Sequence, residues 1–368
     1  MTADPRRAGA AFTLTGVDGA AQQQGHAEAV IGDDALIVGP VTASFLDADA
    51  LRAADYRIEL DLWPAGRLVL TELGRRFDTF AKELRGARNQ ARVAGLLAHG
   101  ITAPEVFIGA LLHGRDARPA EFQLYDTHVA VVPDDGDPWQ VPLGALTTVR
   151  RQEDPPAVVL EASSDPTYLG HLGRKRDACH GAILERLEAQ RSLLASLTGQ
   201  GGFSDGWGVP RAAARDFEQM IERFSAPNRS PCAACLLALA TAEPRLGFVQ
   251  LLDPDTQTFG SPSELPERWA MFLLAPVGPL TVLEILAGPS AATYVFRDDV
   301  ESVNRHLQTL HFRRAPLALT PDEAVVTPGN PHRLALRKLA PLQRLRACTV
   351  ARVVHNDAWE ESLRRAIA

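Results

Sequence analysis

At 368 residues, with 46% apolar and 23% charged side chains, the chain carries material for two or three cored domains. A net charge of −7 argues against a surface that coats nucleic acid or anionic membrane as a whole. Four cysteines in a chain this long do not make a disulfide framework, which points to a reducing cytoplasm.

All basic residues except Lys82, Lys175 and Lys338 are arginines, a skew that fits a GC-rich bacterial genome. Residues 1–27 lack periodicity and read as a disordered arm. The apolar stretch behind Arg6 and Arg7 is too short for an export signal. No run approaches the roughly 18 apolar residues that a membrane span requires.

A first module is expected over 28–100. Short strands at 35–38 and 41–45 precede a strict alternation at 56–63, with Tyr56, Ile58, Leu60 and Leu62 on one face and Arg57, Glu59 and Asp61 on the other. A turn at 64–66 leads to a return strand. The period then changes, and Phe77, Phe80, Leu84, Ala87 and Ala91 predict an amphipathic helix over 75–97.

The same order recurs over 101–199, with strands at 122–125, 128–132, 145–149, 157–160 and 168–172. A helix over 174–197 follows, carrying Ile183, Leu187, Leu194 and Leu197 on one side. Residues 200–228 read as a glycine-rich linker and a short helix. Over 229–316 the pattern returns: strands at 246–252, 269–274, 280–286 and 292–296, then a helix from Asp298 carrying Val300, Val303 and Leu307. Residues 317–368 read as a helical extension. Thr320 to Glu323 forms a capping box, Pro341 kinks the following helix, and a last helix presents Trp359, Leu363 and Ile367.

Several antiparallel strands ending in a hairpin and an amphipathic helix resemble the pleckstrin-homology-like fold of tandem bacterial modules. The resemblance is best over 121–197, through Glu121-Phe122-Gln123-Leu124-Tyr125 and Val141-Pro142-Leu143-Gly144-Ala145-Leu146, and extends over 30–200 and 230–315. It implies an α+β chain of tandem small antiparallel barrels or sheets, each closed by a C-terminal helix, the third module being degenerate. Lipid-binding members grip phosphates with basic residues on the first hairpin. The corresponding loops at 46–54, 133–137 and 253–258 are acidic, which disfavours phosphoinositide or membrane as partner.

Cys232 and Cys235 have metal or redox spacing but no second ligand pair, and read as small thiols in a capped helix. The glycines at 199–202 lack both the dinucleotide-loop order and a phosphate-loop lysine. The acids at 134–137 read as a hairpin turn. No catalytic, cofactor or metal residue is expected.

One lead remains. From His311 onward, ten basic residues stand against five acidic ones, and Arg333, Arg337, Lys338, Arg344, Arg346 and Arg352 are interleaved with apolar positions. With Trp359 they form the expected partner-binding set. The expectation is a cytoplasmic, non-enzymatic interaction or scaffold protein whose partner is protein and whose oligomeric state stays open. Two alternatives stand beside it: an enzyme with a site assembled between modules, and nucleic-acid association through the basic segment.

Overall fold

Alternation organises the first sheet. In the computed structural model, which describes residues 4–64, 66–114, 116–162, 165–198, 231–250, 269–286, 292–320 and 330–368, Ile58 and Leu60 point inward and Arg57 and Glu59 outward. The protein is α+β, with large antiparallel sheets and several helices.

The first sheet comprises β1 (Arg7–Thr15), β2 (Ala21–Ile31), β3 (Ala35–Val38), β4 (Val41–Ser44), β5 (Ala48–Ala54), β6 (Arg57–Leu62) and β7 (Gly66–Thr71), in the order β4-β3-β2-β1-β7-β6-β5. Helix α1 (Phe77–Gly95) follows and drives Phe80 and Leu84 into the sheet's core. Each such burial contributes about 1.5–3 kcal/mol.

Residues 7–15 and 21–27, expected within a disordered arm, instead lie in strands β1 and β2. Ala8, Ala10 and Phe12 alternate inward, but alanines give a weak hydrophobic signal. The pairing that orders them is distant: Arg7 faces Val30, and Ala11 faces Thr71.

The second sheet repeats that topology. Its strands are β8 (Glu105–His113), β9 (Asp116–Leu124), β10 (His128–Pro133), β11 (Trp139–Pro142), β12 (Thr148–Glu153), β13 (Pro156–Glu161) and β14 (Thr167–Gly170), ordered β11-β10-β9-β8-β14-β13-β12. Helix α2 (Arg176–Thr198) brings Cys179, Ile183 and Leu187 to its core.

The two units also share an elbow between last strand and helix that the sequence reading missed. Leu70-Thr-Glu-Leu73-Gly74-Arg75-Arg76-Phe-Asp78 recurs 99 positions on (70 to 169) as Leu169-Gly-His-Leu172-Gly173-Arg174-Lys175-Arg-Asp177. Leu73 and Leu172 are buried, and Gly74 and Gly173 both sit at φ +56°, a left-handed conformation that costs other residues roughly 1–2 kcal/mol. Strands β6 and β13 keep the same offset. The motif was hidden because each copy reads locally as an ordinary turn.

The third sheet is layered differently. Helix α3 (Pro231–Leu239) precedes β15 (Arg245–Gln250), β16 (Trp269–Val277), β17 (Leu280–Ile285) and β18 (Ala292–Phe296). Then come α4 (Val300–Thr309), α5 (Ala315–Ala318), α6 (Arg333–Lys338), α7 (Ala340–Cys348), β19 (Thr349–Val354) and α8 (Trp359–Ile367). Strand β19 pairs with β18, so the tail expected as a helical extension completes the sheet. Its β-branched Thr-Val-Ala-Arg-Val-Val run is a strand pattern, overlooked behind a leucine period that ends at Leu345.

Helices α3 and α8 contribute Leu236, Trp359 and Leu363 to one face of this sheet, while α4 and α7 contribute Leu307, Leu342 and Leu345 to the other. Coverage on both faces explains why all of β17 is buried. The break between α6 and α7 falls at Leu339, with Pro341 in the first turn of α7. Asp299, not Asp298, caps α4, accepting from the Ser302 amide at 2.9 Å.

No helix among the described residues is long and apolar enough to cross a membrane. Expected features at 199–208, 217–224, 253–258, 288–290 and 321–323 lie outside the described residues.

Candidate interaction site

The site starts from two arginines on the inner face of α1. The period through Phe77, Phe80 and Leu84 continues at 88 and 92, where burial would ordinarily call for leucine. Arg88 is 2% and Arg92 0% exposed.

Both reach the loop that leads from β4 into the first two residues of β5. Arg88 donates to the Ala48 and Asp49 carbonyls, each at 3.0 Å. Arg92 donates to the Ala48 carbonyl at 3.0 Å and to the Asp137 carboxylate in the β10–β11 hairpin of the second unit. Burial pulls the Arg88 guanidinium down to about 10, with Arg92 adding to the fall and Asp137, Asp135 and Asp49 opposing it. It stays a cation at neutral pH. Each arginine therefore offsets part of its desolvation by donating to these backbone oxygens.

Helix α6 lies across the carboxylates of that loop. Arg333 pairs with Asp47. Arg337 donates to Asp49 Oδ1 at 2.6 Å, and Lys338 Nζ stands 3.4 Å from the same oxygen and 3.7 Å from Asp137 Oδ2. Trp63, in the β6–β7 turn, lies 4.5 Å from the Arg337 guanidinium and 5.8 Å from that of Arg333, within cation–π range.

Burial lowers the guanidinium pKa values of Arg333 and Arg337. Asp47 Oδ1 and Arg337 Nε and Nη1 are buried without a hydrogen-bond partner.

The other expected partner-binding residues are not gathered with these three. Arg344 is exposed, 3.3 Å from Asp298, and Arg346 donates to the Pro316 carbonyl at 2.7 Å. Arg352 is exposed on β19. Trp359 is buried, its indole donating to Thr293 Oγ1 at 2.7 Å. That hydroxyl donates in turn to Glu284, which also lies 3.2 Å from His355 Nε2. Replacing Trp359 by phenylalanine keeps the packing but leaves Thr293 without this donor. An expected loss of about 1–3 kcal/mol in unfolding free energy follows, measurable by urea titration.

Asp47, Asp49, Trp63, Asp137, Arg88 and Arg92 were not expected as site residues. The sequence reading gives their loops as acidic but not what the acids face. The available signal was the pair of arginines continuing an apolar helical stripe.

A second polar junction joins the three units. After α1, Leu97 enters the core of the third sheet, and Ala98 packs with Val93, Tyr125, Ala130 and Val132. His128 Nε2 donates to the Ala98 carbonyl at 2.8 Å, and its ring lies 4.6 Å from Tyr125 and 4.4 Å from His311. His311 Nε2 donates to Gln140 Oε1 at 2.6 Å. Arg313 donates to the Leu97 and His99 carbonyls. Burial, the largest cause for each, pushes His128 down to about 3 and His99 to about 4, and holds His311 well below its usual value.

Among the described residues, no group of three or more His, Cys, Asp and Glu side chains could hold a metal ion. What the α6 junction can do chemically is hold a cationic helix by paired charge and an aromatic face. No protein-family model matches the chain, and no curated protein matches it.

Proposed function

We propose that this is a non-enzymatic protein–protein interaction or scaffold protein, built on two pleckstrin-homology-like modules and braced by the third sheet. One observation carries the reading: the first module already recognises a helix, holding α6 by Asp47, Asp49 and Trp63. Recognition of a basic helical segment by paired charge and an aromatic face is the physics of a peptide-binding module.

The shared strand order, the following helix and the repeated elbow support a common module type. The buried junctions support a body whose units keep a fixed arrangement, as a scaffold requires. Free thiols at Cys179 and Cys348 are compatible with a cytoplasmic setting.

The test is affinity recovery of the full chain from its own cells after nuclease treatment. The expected result is a stoichiometric protein partner that survives nuclease. Recovery of nucleic acid alone, or turnover of a small molecule by the purified chain without a protein partner, overturns the reading.

A further inference from the structure

We infer that β19, the outer strand of the third sheet, is an open edge that takes up an extended acidic segment of a partner protein. The segment carries a carboxylate opposite Arg352 and, two residues away, a β-branched side chain opposite Val354. This rests on the interaction reading above and adds to it a surface and the partner's chemistry.

A strand can bond on both sides, and β19 uses one. It pairs with β18 from Thr349 to Val354, and on its other side its backbone bonds nothing among the described residues. Alternate amide and carbonyl groups are therefore left as an open row. That row fixes the shape of what completes it, because an extended backbone matches its spacing. No described element occupies the edge, so pairing displaces no helix and opens no core.

Sheet edges are ordinarily guarded, and those of the first two sheets are. Strands β4 and β11 are four residues each, and β11 ends in Pro142. Strand β12 carries Arg150, Arg151 and Glu153. At β5, Arg88 holds the first two carbonyls. Strand β19 runs for six residues, and Thr349, Val350, Val353 and Val354 are β-branched. Its guards are a bulge at Val350 and one charge, which leave 351–354 regular.

The side chains say which extended segment fits. Ala351 and Val353 pack into the core with Trp359, while Arg352 and Val354 are exposed. Among the described residues, Arg352 has no hydrogen-bond or ion-pair partner, whereas Arg344 and Arg346 are both engaged. Side chains directly opposite on paired strands lie about 4.5–5.5 Å apart, and residues two positions on share a face. One acid and one β-branched residue at that spacing neutralise Arg352 and cover Val354 together. A second copy of β19 brings another arginine and no carboxylate, so an acidic strand is the better complement.

The test uses the full chain and the fluorescein-labelled peptide Ser-Val-Thr-Glu-Thr-Val-Ser, whose two valines serve either strand direction, followed by anisotropy. Binding is expected to be saturable. It is expected to weaken about tenfold when the peptide's glutamate is replaced by lysine, and equally in the chain variant Arg352→Glu. Combining the two changes is expected to restore it, the mark of a directly opposed pair. N-methylation of alternate peptide amides is expected to abolish binding on one edge of the peptide and spare it on the other, since one edge faces β19.

Arg352→Gln, expected to weaken binding of the same peptide, replaces the charge reversal if circular dichroism shows that variant unfolded. Absence of saturable binding overturns the inference, as does binding indifferent to Arg352 or to methylation of either edge. A dimer in sedimentation that Arg352→Glu dissociates also overturns it, because the edge then belongs to a second copy. If the peptide fails while the chain still holds a nuclease-resistant protein partner, only the β19 edge is lost. If it binds and no such partner exists, the interaction reading falls instead.

Discussion

Replacing Arg92 by leucine is expected to lower unfolding free energy by about 3–5 kcal/mol, the cost of breaking a buried charged network by removing one member. Arg92 is fully buried, and its guanidinium holds the Ala48 carbonyl and the Asp137 carboxylate together. Leucine fills part of the volume but leaves that carbonyl sharing only Arg88 and removes a link between the first two modules. Lysine keeps the charge without the planar fork, so Arg92→Lys is expected to recover only part of the loss. Arg344→Ala is the contrast. That pair is 62% exposed on the arginine side and is expected to cost no more than about 1 kcal/mol. Urea titration of the three variants checks the order, and a leucine variant as stable as Arg344→Ala would show that the loop is held by something else.

Arg92 also marks where the sequence stopped being legible. Local periodicity finds what local packing decides. Ile58 and Leu60 alternate because one face of β6 is buried, and Phe80 and Leu84 recur because one stripe of α1 is. The same rule reads Ala87 and Ala91 as the continuing stripe of α1, and both pack against the core, but it passes over Arg88 and Arg92, which the helix turns fully inward. Their place on the apolar stripe was a local signal, but their acceptors were not legible, because these lie about 40 residues away at the start of β5 and on the hairpin at Asp137.

The acidic loops were visible, and so was the basic segment near 333–338. Their mutual neutralisation was not, because it joins positions such as 49 and 337 that only the assembled units bring together. The third sheet escaped for a related reason. Its last strand arrives after four helices among the described residues, and a strand separated from its partner by some 50 residues carries no hairpin signal.

Lowering pH from 7.5 to 4.5 is expected to destabilise the chain through its buried imidazoles, well before its carboxylates protonate. His128 must be neutral in the folded state. The Ala98 carbonyl can only accept, so Nε2 carries the proton, and Nδ1 is within 3.0 Å of the Thr127 hydroxyl. Burial, with Arg313 and His99 nearby, holds its pKa at about 3, against roughly 6.5 in the unfolded chain. Between those values the unfolded state binds a proton that the folded state refuses. Stability is therefore complete above pH 6.5 and falls as pH drops toward 3. At about 1.4 kcal/mol per pH unit, His128 alone removes roughly 2.7 kcal/mol by pH 4.5. His311, fully enclosed with its pKa held well below the usual value, adds a loss of the same sign. Because His128, His311 and Arg313 come from two different units and meet the loop after α1, this proton uptake is expected to act first on the junction between them. Urea midpoints at pH 7.5, 6.0 and 4.5 measure the slope, and His128→Gln, which cannot take up the proton, is expected to flatten it. An unchanged slope in that variant would place the acid sensitivity elsewhere.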